Sequence, residues 1–173
     1  MIILSHYCPL TNSPSMSLSF TIETANKSDK KDITAFYKQQ QYPAKFMGFD
    51  HCFVAKVDTL IIGCVIMSDI EKAHDKMRDN HDSNESKALF LHGLFVDPKY
   101  RNYGVSKALI DEMALLKKSI ICFADISLTA LYLKSGFNKV SEDSLPKLYH
   151  ERYKSYRNKQ TNLLAFVRPI SPR

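Results

Sequence analysis

The stretch that decides the fold begins at Ala88 and reads ALFLHGLFVDPKYRNYGVSKALI. Its first part, Ala88–Val96, is an apolar run that predicts a strand, and Asp97–Gly104 carries the Pro, Asn and Gly typical of a turn. The apolar positions that follow at helical spacing are Val105, Ala108, Leu109, Met113 and Leu116. The segment therefore predicts a strand, a turn and a helix in direct succession.

The start of this helix has the features of an anion-binding site. No acidic residue occupies its first turn, so the amide groups at the helix N-terminus stay unblocked and can hold a phosphate. Gly104 permits close approach to the backbone, while Arg101 and Lys107 add positive charge. An ordinary strand, turn and helix that bind nothing would show the same pattern, so spacing alone leaves both interpretations open.

Further strands and helices are predicted on both sides of this segment. Before it, Ile33, Phe36 and Tyr37 fall on one helical face. The other predicted strands are 18–22, 52–57, 60–67, 120–124, 137–140 and 162–167, and the other predicted helices are 127–134 and 144–159. Strands first, followed by alternating helices and strands, predict a mixed α/β (α+β) domain around one sheet.

The composition is typical of a soluble globular protein with one domain. Of 173 residues, 45% are hydrophobic and 24% are charged, which excludes a disordered chain. No apolar run approaches the roughly 20 residues that cross a bilayer, so we expect a cytoplasmic protein without a membrane partner. Residues 1–15 are predicted to be an N-terminal tail and residues 16–173 the domain, with Met16 as an alternative start. The net charge of +6 suits anionic partners such as phosphates or nucleic acid.

Neither the cysteines nor the histidines have the spacing of a metal site. The four cysteines lack C-x-x-C spacing, and Cys64 and Cys122 lie in apolar runs, so we expect buried thiols. The charged segment 69–87 holds His74 and His81 among acidic residues but lacks a tight ligand spacing. We therefore expect a solvated loop there and no metal cofactor.

Two motifs in this chain resemble those of the GNAT N-acetyltransferase superfamily. Arg101–Ser106 (RNYGVS) resembles the acetyl-CoA loop Q/R-x-x-G-x-G/A, although Ser106 replaces Gly or Ala. Leu131–Phe137 (LYLKSGF) resembles the second signature, a Tyr followed four and five residues later by Gly-Phe. The resemblance spans roughly Leu18–Val167. It implies one GNAT-type domain whose mixed, largely antiparallel sheet is splayed at the acetyl-CoA site and flanked by helices.

The resemblance also implies where acetyl-CoA binds. Backbone groups next to the splay would contact the pantetheine arm, and amide groups of the loop would hold the pyrophosphate. The predicted cofactor-binding residues are Leu94, Phe95, Val96, Arg101, Asn102, Tyr103, Gly104, Val105, Ser106 and Asp125.

Tyr132 and His92 are the predicted catalytic residues. Tyr132 occupies the family's general-acid position, and a phenol suits proton donation to a thiolate; its alternative role is to pack beside Phe137. His92 shares a strand face with residues 94 and 96, which makes it the candidate base. Its alternative role is that of a core histidine, in which case Asp69 and Glu71 are the next candidates for the base.

The predicted function is transfer of an acetyl group from acetyl-CoA to a primary amine of a small molecule or peptide, by direct attack in a ternary complex. A non-catalytic acetyl-CoA sensor on the same fold is one alternative. An enzyme acting on aminoacyl-tRNA is another, because residues 147–159 interleave basic and aromatic side chains. An inward-packing amphipathic helix explains the same pattern and is favoured over nucleic acid. We expect the loops at residues 41–50, 69–87 and 145–159 to determine which acceptor binds. The sequence also allows a homodimer.

Overall fold

One sheet of eight strands organises the computed structural model, which describes residues 18–70 and 88–170. The strands are β1 (Thr21–Thr24), β2 (His51–Val57), β3 (Leu60–Ser68), β4 (Leu89–Leu91), β5 (Phe95–Val96), β6 (Ile120–Asp125), β7 (Asn138–Val140) and β8 (Leu163–Arg168). Their order across the sheet is β1-β2-β3-β4-β6-β8-β7, with β5 also paired to β3. Among the described strands, β4 and β6 form the one parallel pair. The predicted mixed, largely antiparallel sheet is confirmed.

Helices cover both faces of this sheet. They are α1 (Lys30–Gln39), α2 (Val105–Met113), α3 (Thr129–Lys134) and α4 (Lys147–Arg157). On one face, α2 and α3 pack into the same core cluster as Cys122 of β6. On the other face, α1 packs over β2 and β3, while α4 packs against Ile121 and Phe123 of β6. Because neighbouring residues of a strand point to opposite faces, the sheet is buried between the two layers.

The predicted strand Ala88–Val96 is interrupted at residues 92–94. β4 pairs with both β3 and β6, whereas β5 pairs with β3 alone, so the sheet opens between β5 and β6. A Cβ atom on Gly93 would lie 3.1–3.2 Å from side-chain atoms of Ile66 and Tyr37, so a larger residue at this position would have to displace these neighbours. The Tyr37 hydroxyl donates to the Gly93 carbonyl oxygen at 2.5 Å. The opening corresponds to the splay that the resemblance implies.

Several predicted boundaries shift by a few residues. Helix α4 begins at Lys147, because Pro146 precedes it and Glu142–Ser144 form a separate 3₁₀ turn. Strand β1 begins at Thr21, and Leu18 packs against the core without joining a strand. The prediction of buried thiols is confirmed for Cys52, Cys64 and Cys122. The predicted tail at residues 1–15 lies outside the described residues.

Candidate active site

The turn before α2 presents its backbone amides to solvent. Gly104 is the N-cap residue and has φ 79°, while Asn102 has φ 67°, so both adopt the left-handed conformation. The first backbone hydrogen bond of the helix runs from Ala108 N to Gly104 O at 3.0 Å, which leaves the preceding amides without a helical acceptor. No acidic residue lies in the first turn. These amides can hold an anion such as a pyrophosphate.

Space is open in front of this turn. A Cβ atom placed on Gly104 would meet no other atom within 4 Å. The glycine is therefore required by its backbone conformation rather than by crowding. Arg101 bends back toward β5, where its Nε donates to the Val96 carbonyl at 3.4 Å and its guanidinium lies 5.7 Å from the Phe95 ring centroid.

A first cavity, of about 120 Å³, lies between the opened sheet and the helices α2 and α3. Both predicted catalytic residues line it, together with half of the predicted cofactor-binding residues. Those predicted residues are His92, Leu94, Phe95, Val96, Arg101, Ser106 and Tyr132. The structure thus places residues from two separate sequence motifs around one cavity.

Other predicted cofactor residues lie outside this cavity. Asn102 and Tyr103 are exposed on the adjoining turn, and the Val105 side chain is buried in the core. Asp125 caps the turn Ile126–Leu128, where it accepts from Ser127 N at 2.9 Å. Burial alone would raise the Asp125 pKa, but hydrogen bonds, chiefly from Ser127, hold that pKa below its ordinary value. A contact of Asp125 with the cofactor stays a prediction.

Tyr132 is buried, with its ring packed on both sides. It stacks on Phe166 and meets Phe137 edge-on, with 5.2 Å between ring centroids in each case. Burial raises the pKa of Tyr132 well above 10, and the neighbouring Cys122 and Tyr42 add to this shift. The phenol therefore keeps its proton at neutral pH and can act as a donor. The packing role and the donor role are compatible, because the same residue lines the cavity.

His92 lies at the interruption in the sheet. Its Nε2 is 2.7 Å from Ser68 Oγ, which donates to Asp50 Oδ1 at 2.7 Å. Its ring stacks on Phe90 with 6.0 Å between centroids. Burial lowers the His92 pKa below 6.5; the Asp50 carboxylate opposes this shift and the Arg152 guanidinium adds to it. The imidazole is therefore neutral at pH 7, which is the form that accepts a proton.

A second cavity, of about 370 Å³, lies beyond His92. Its walls come from the loop that follows α1, the end of β3 and helix α4, and Asp69 is among the lining residues. This volume is within the range of small-molecule sites, about 300–1,000 Å³. Tyr42 and His92 line both cavities, so they form the boundary between them.

Tyr42, Ser68 and Arg152 also belong to the site, although no sequence pattern identifies them individually. Tyr42 is buried and packs on Tyr37 and Phe95, with ring centroids 5.6 and 4.9 Å apart. Burial raises its pKa to about 12. Tyr42 follows a predicted helix and precedes a proline, which predicts a loop but does not indicate that its side chain points inward.

Only some of the candidate metal ligands lie within the residues that the structure describes. His74, His81 and the alternative base Glu71 lie outside the described residues. Within the described ranges, Glu142, Asp143 and His150 place their ligand atoms within 4.8 Å of one another. Arg157 Nη1 donates to Glu142 at 2.9 Å, so part of this negative charge is already neutralised. The expected absence of a metal stays a prediction.

The tyrosines of α4 point into the protein. Tyr149 and Tyr153 are buried, and their hydroxyls donate to the carbonyl oxygens of Ala88 and Leu163 at 2.6 and 2.8 Å. Two of the aromatic residues in the basic and aromatic segment 147–159 therefore pack in the core, as expected for an amphipathic helix. No helix in residues 18–70 or 88–170 has the length and apolar character needed to span a bilayer.

Solved structures of acetyltransferases share this fold. N-acetylglutamate synthase from Neisseria gonorrhoeae, complexed with coenzyme A and N-acetyl-glutamate, matches with a TM-score of 0.61 at 17% identity, over 90% of this chain and 36% of that chain. This chain thus spans about a third of that synthase. Arabidopsis thaliana NAA60 in complex with acetyl-CoA matches with a TM-score of 0.56 at 16% identity, over 86% of this chain and 97% of that chain.

The ribosomal-protein-S18-alanine N-acetyltransferase from Escherichia coli matches with a TM-score of 0.55 at 17% identity, over 90% of this chain and 96% of that chain. No curated protein sequence matches the chain. Residues 48–139 match the family model of the acetyltransferase (GNAT) domain, and this range contains the opened sheet, the turn before α2 and Tyr132. The chain therefore belongs to the GNAT acetyltransferase family.

Proposed function

We propose that this protein transfers the acetyl group of acetyl-CoA to a primary amine while both substrates are bound. The observation that carries the proposal is that Tyr42 and His92 line both cavities. A thioester in the first cavity and an amine in the second would meet at the neutral imidazole. Family membership supports acetyl transfer in general, and related folds have been solved with acetyl-CoA or coenzyme A bound.

Acetyl-CoA would lie along the opening in the sheet. The amides of the turn before α2 would bind its pyrophosphate, as helix N-termini do. Leu94, Phe95 and Val96 would contact the pantetheine arm, because β5 pairs with β3 and leaves its other edge facing the opening. This placement brings the thioester next to Tyr132.

The reaction would require three proton transfers. His92 would accept a proton from the ammonium form of the acceptor, and the neutral nitrogen would attack the thioester carbonyl carbon. A carbon–nitrogen bond would form and the carbon–sulfur bond would break, with its electron pair leaving on sulfur. The Tyr132 phenol would give its proton to this thiolate. The nitrogen, which still carries a second proton after the attack, would lose it to solvent, and the products are the amide and coenzyme A. Solvent would also take the proton from His92 and return one to Tyr132.

Much of the expected acceleration comes from positioning. Holding the amine and the thioester in contact removes the cost of bringing two molecules together during the reaction. The two cavities, which share His92, would supply such positions. This arrangement favours direct attack over a route through an acetylated enzyme.

Tyr132→Phe tests the proposal against a non-catalytic acetyl-CoA sensor. Release of coenzyme A is measured with polyamines, amino acids, aminoglycosides, peptides and aminoacyl-tRNA as acceptors. We expect turnover with at least one class, and a loss of about 100-fold or more in the variant. Acetyl-CoA should still raise the Tm of the variant, because the phenol does not hold the cofactor. Stabilisation by acetyl-CoA without turnover of any acceptor would favour the sensor.

A further inference from the structure

The charged side chains of the second cavity differ in how well they are paired. Both Asp50 oxygens are engaged, since Oδ1 accepts from Ser68 at 2.7 Å and Oδ2 accepts from Met47 N at 2.9 Å. Asp69 lies 3.9 Å from the ammonium of Lys118. The protein itself therefore neutralises or binds the negative charge of this cavity.

Arg152 is in a different situation. It is half-buried on α4 and lines the cavity, with its guanidinium carbon 5.2 Å from the Phe90 ring centroid. Arg152 takes part in none of the ion pairs between residues that the structure describes. On the same helix, Arg157 bonds Glu142 at 2.9 Å. A charge partly removed from water is stabilised by an ionic partner, and the planar guanidinium matches a carboxylate or phosphate with two parallel hydrogen bonds.

Arg152 and His92 both contact the same aromatic ring. The His92 ring centroid lies 6.0 Å from that of Phe90, and the Arg152 guanidinium lies 5.2 Å from it. Both side chains also line the second cavity, so one molecule bound there can contact both. An anion bound at Arg152 would also offset the positive charge that faces His92, and so strengthen the base once the acceptor is in place.

We propose that the acceptor is a small amine that also carries an anionic group, a carboxylate or a phosphate, which Arg152 binds while the amine faces His92. The inference rests on the proposed function and specifies its substrate class. Lys45, exposed at the cavity wall, supplies a second positive charge. The cavity volume of about 370 Å³ suits a molecule of this size.

Matched pairs of acceptors test the inference. Initial rates are compared for glycine and β-alanine against their amides, and for 2-aminoethyl phosphate against ethanolamine. The wild type should prefer the anionic member of at least one pair, and the preferred pair distinguishes carboxylate from phosphate. Arg152→Gln should lower kcat/KM for that anionic member by about 10- to 100-fold, mainly through KM, and change kcat/KM for the uncharged member much less, because Arg152 acts on that member only through the pKa of His92.

Lys154→Gln is the matched control, because it removes one positive charge from an exposed position of the same helix. It should leave the preference intact. For each enzyme, kcat/KM for the anionic member is divided by kcat/KM for the uncharged member. This ratio is then compared between wild type and variants, so that the difference in amine pKa between the two members cancels. A ratio that is the same in Arg152→Gln as in the wild type for every pair, which is an equal loss for both members, would overturn the inference.

A second measurement separates this inference from the proposed function. If acetyl-CoA binds but no amine is acetylated, the transferase proposal fails, and the anion site is then judged by calorimetric titration of the same amines. Binding of the anionic members that Arg152→Gln abolishes and Lys154→Gln preserves would support the site. No binding to the wild-type protein would overturn it.

Discussion

Ser68 Oγ lies 2.7 Å from Nε2 of His92 and donates its hydrogen to Asp50 Oδ1 at the same distance. A serine hydroxyl has one proton. Donation to Asp50 therefore leaves the Ser68 oxygen to accept from Nε2–H, and Nδ1 becomes the basic nitrogen of His92. Under the proposed function, Ser68 is a positioning residue that sets the tautomer and orientation of the base.

Ser68→Ala should lower kcat/KM by about tenfold, because the imidazole loses the partner that fixes its tautomer while the base itself remains. The ¹⁵N chemical shifts of the His92 ring should show a mixture of tautomers in this variant. Ser68→Thr keeps the hydroxyl and should restore both turnover and the single tautomer. Wild-type turnover in Ser68→Ala would exclude a role for this hydrogen bond in catalysis.

The acidic limb of the kcat/KM profile should lie below pH 6.5. The base must be unprotonated, so activity falls as the pH drops through the His92 pKa, which burial lowers below 6.5. The limb should stay fixed when acceptors of different amine pKa are compared, since it belongs to the enzyme. His92→Gln should remove this limb and reduce turnover about 10- to 1,000-fold. An unchanged limb in His92→Gln would shift the role of base to another group, with Asp69 as the next candidate.

Gly104→Glu should abolish stabilisation of the protein by acetyl-CoA. The new carboxylate would occupy the open space before α2 and repel the pyrophosphate. The backbone cost of losing a glycine at φ 79° should be about 1–2 kcal/mol in the free energy of unfolding. Thermal unfolding with and without acetyl-CoA separates the two effects.

Gly136→Ala provides the control for that backbone cost. Gly136 has φ 80°, and a Cβ there would lie 3.7 Å from Arg168, so the substitution meets conformational strain without a clash. Without ligand, Gly136→Ala and Gly104→Ala should lower the Tm of the protein by similar amounts, because each adds a methyl group at a positive φ. Acetyl-CoA should raise the Tm of Gly136→Ala as much as it raises that of the wild type. Equal stabilisation of Gly104→Glu and wild type would disprove the pyrophosphate assignment.

Gly93→Ala should destabilise the opened sheet. The added methyl would lie 3.1–3.2 Å from Ile66 and the Tyr37 hydroxyl, and relief of this overlap should cost about 1–3 kcal/mol in the free energy of unfolding. Denaturant unfolding measures the cost. Turnover should also fall, because His92 is the adjacent residue. An unaltered midpoint of unfolding would show that the neighbours relax without penalty.

The fold was predictable because its signals are local. The predicted strands 52–57 and 60–67 leave only Asp58-Thr59 between them, which is the spacing of a hairpin, and the structure pairs β2 with β3 in this way. The helical spacing of Leu109 and Met113 likewise predicts the buried face of α2. Alternation and turn residues act within a few positions, so one sequence carries this information.

The contacts around the second cavity were not predictable in the same way. Ser68 ends one strand, His92 follows another, and Asp50 comes from a loop, yet their side chains form one hydrogen-bonded chain. Arg152 belongs to a helix whose spacing predicts which tyrosines point inward but not which arginine meets Phe90. Such contacts depend on how distant segments pack, which no local pattern specifies.

The two cavities are built from almost separate parts of the chain. Apart from Tyr42, the residues that line the first are drawn from 91–106 and 128–132. Apart from Phe90 and His92, those that line the second are drawn from 42–50, 68–70 and helix α4. Under the proposed function, acceptor choice and cofactor affinity can then diverge independently during evolution. Exchanging the 43–50 loop and the exposed face of α4 between relatives should redirect the enzyme to new amines while the donor substrate stays the same.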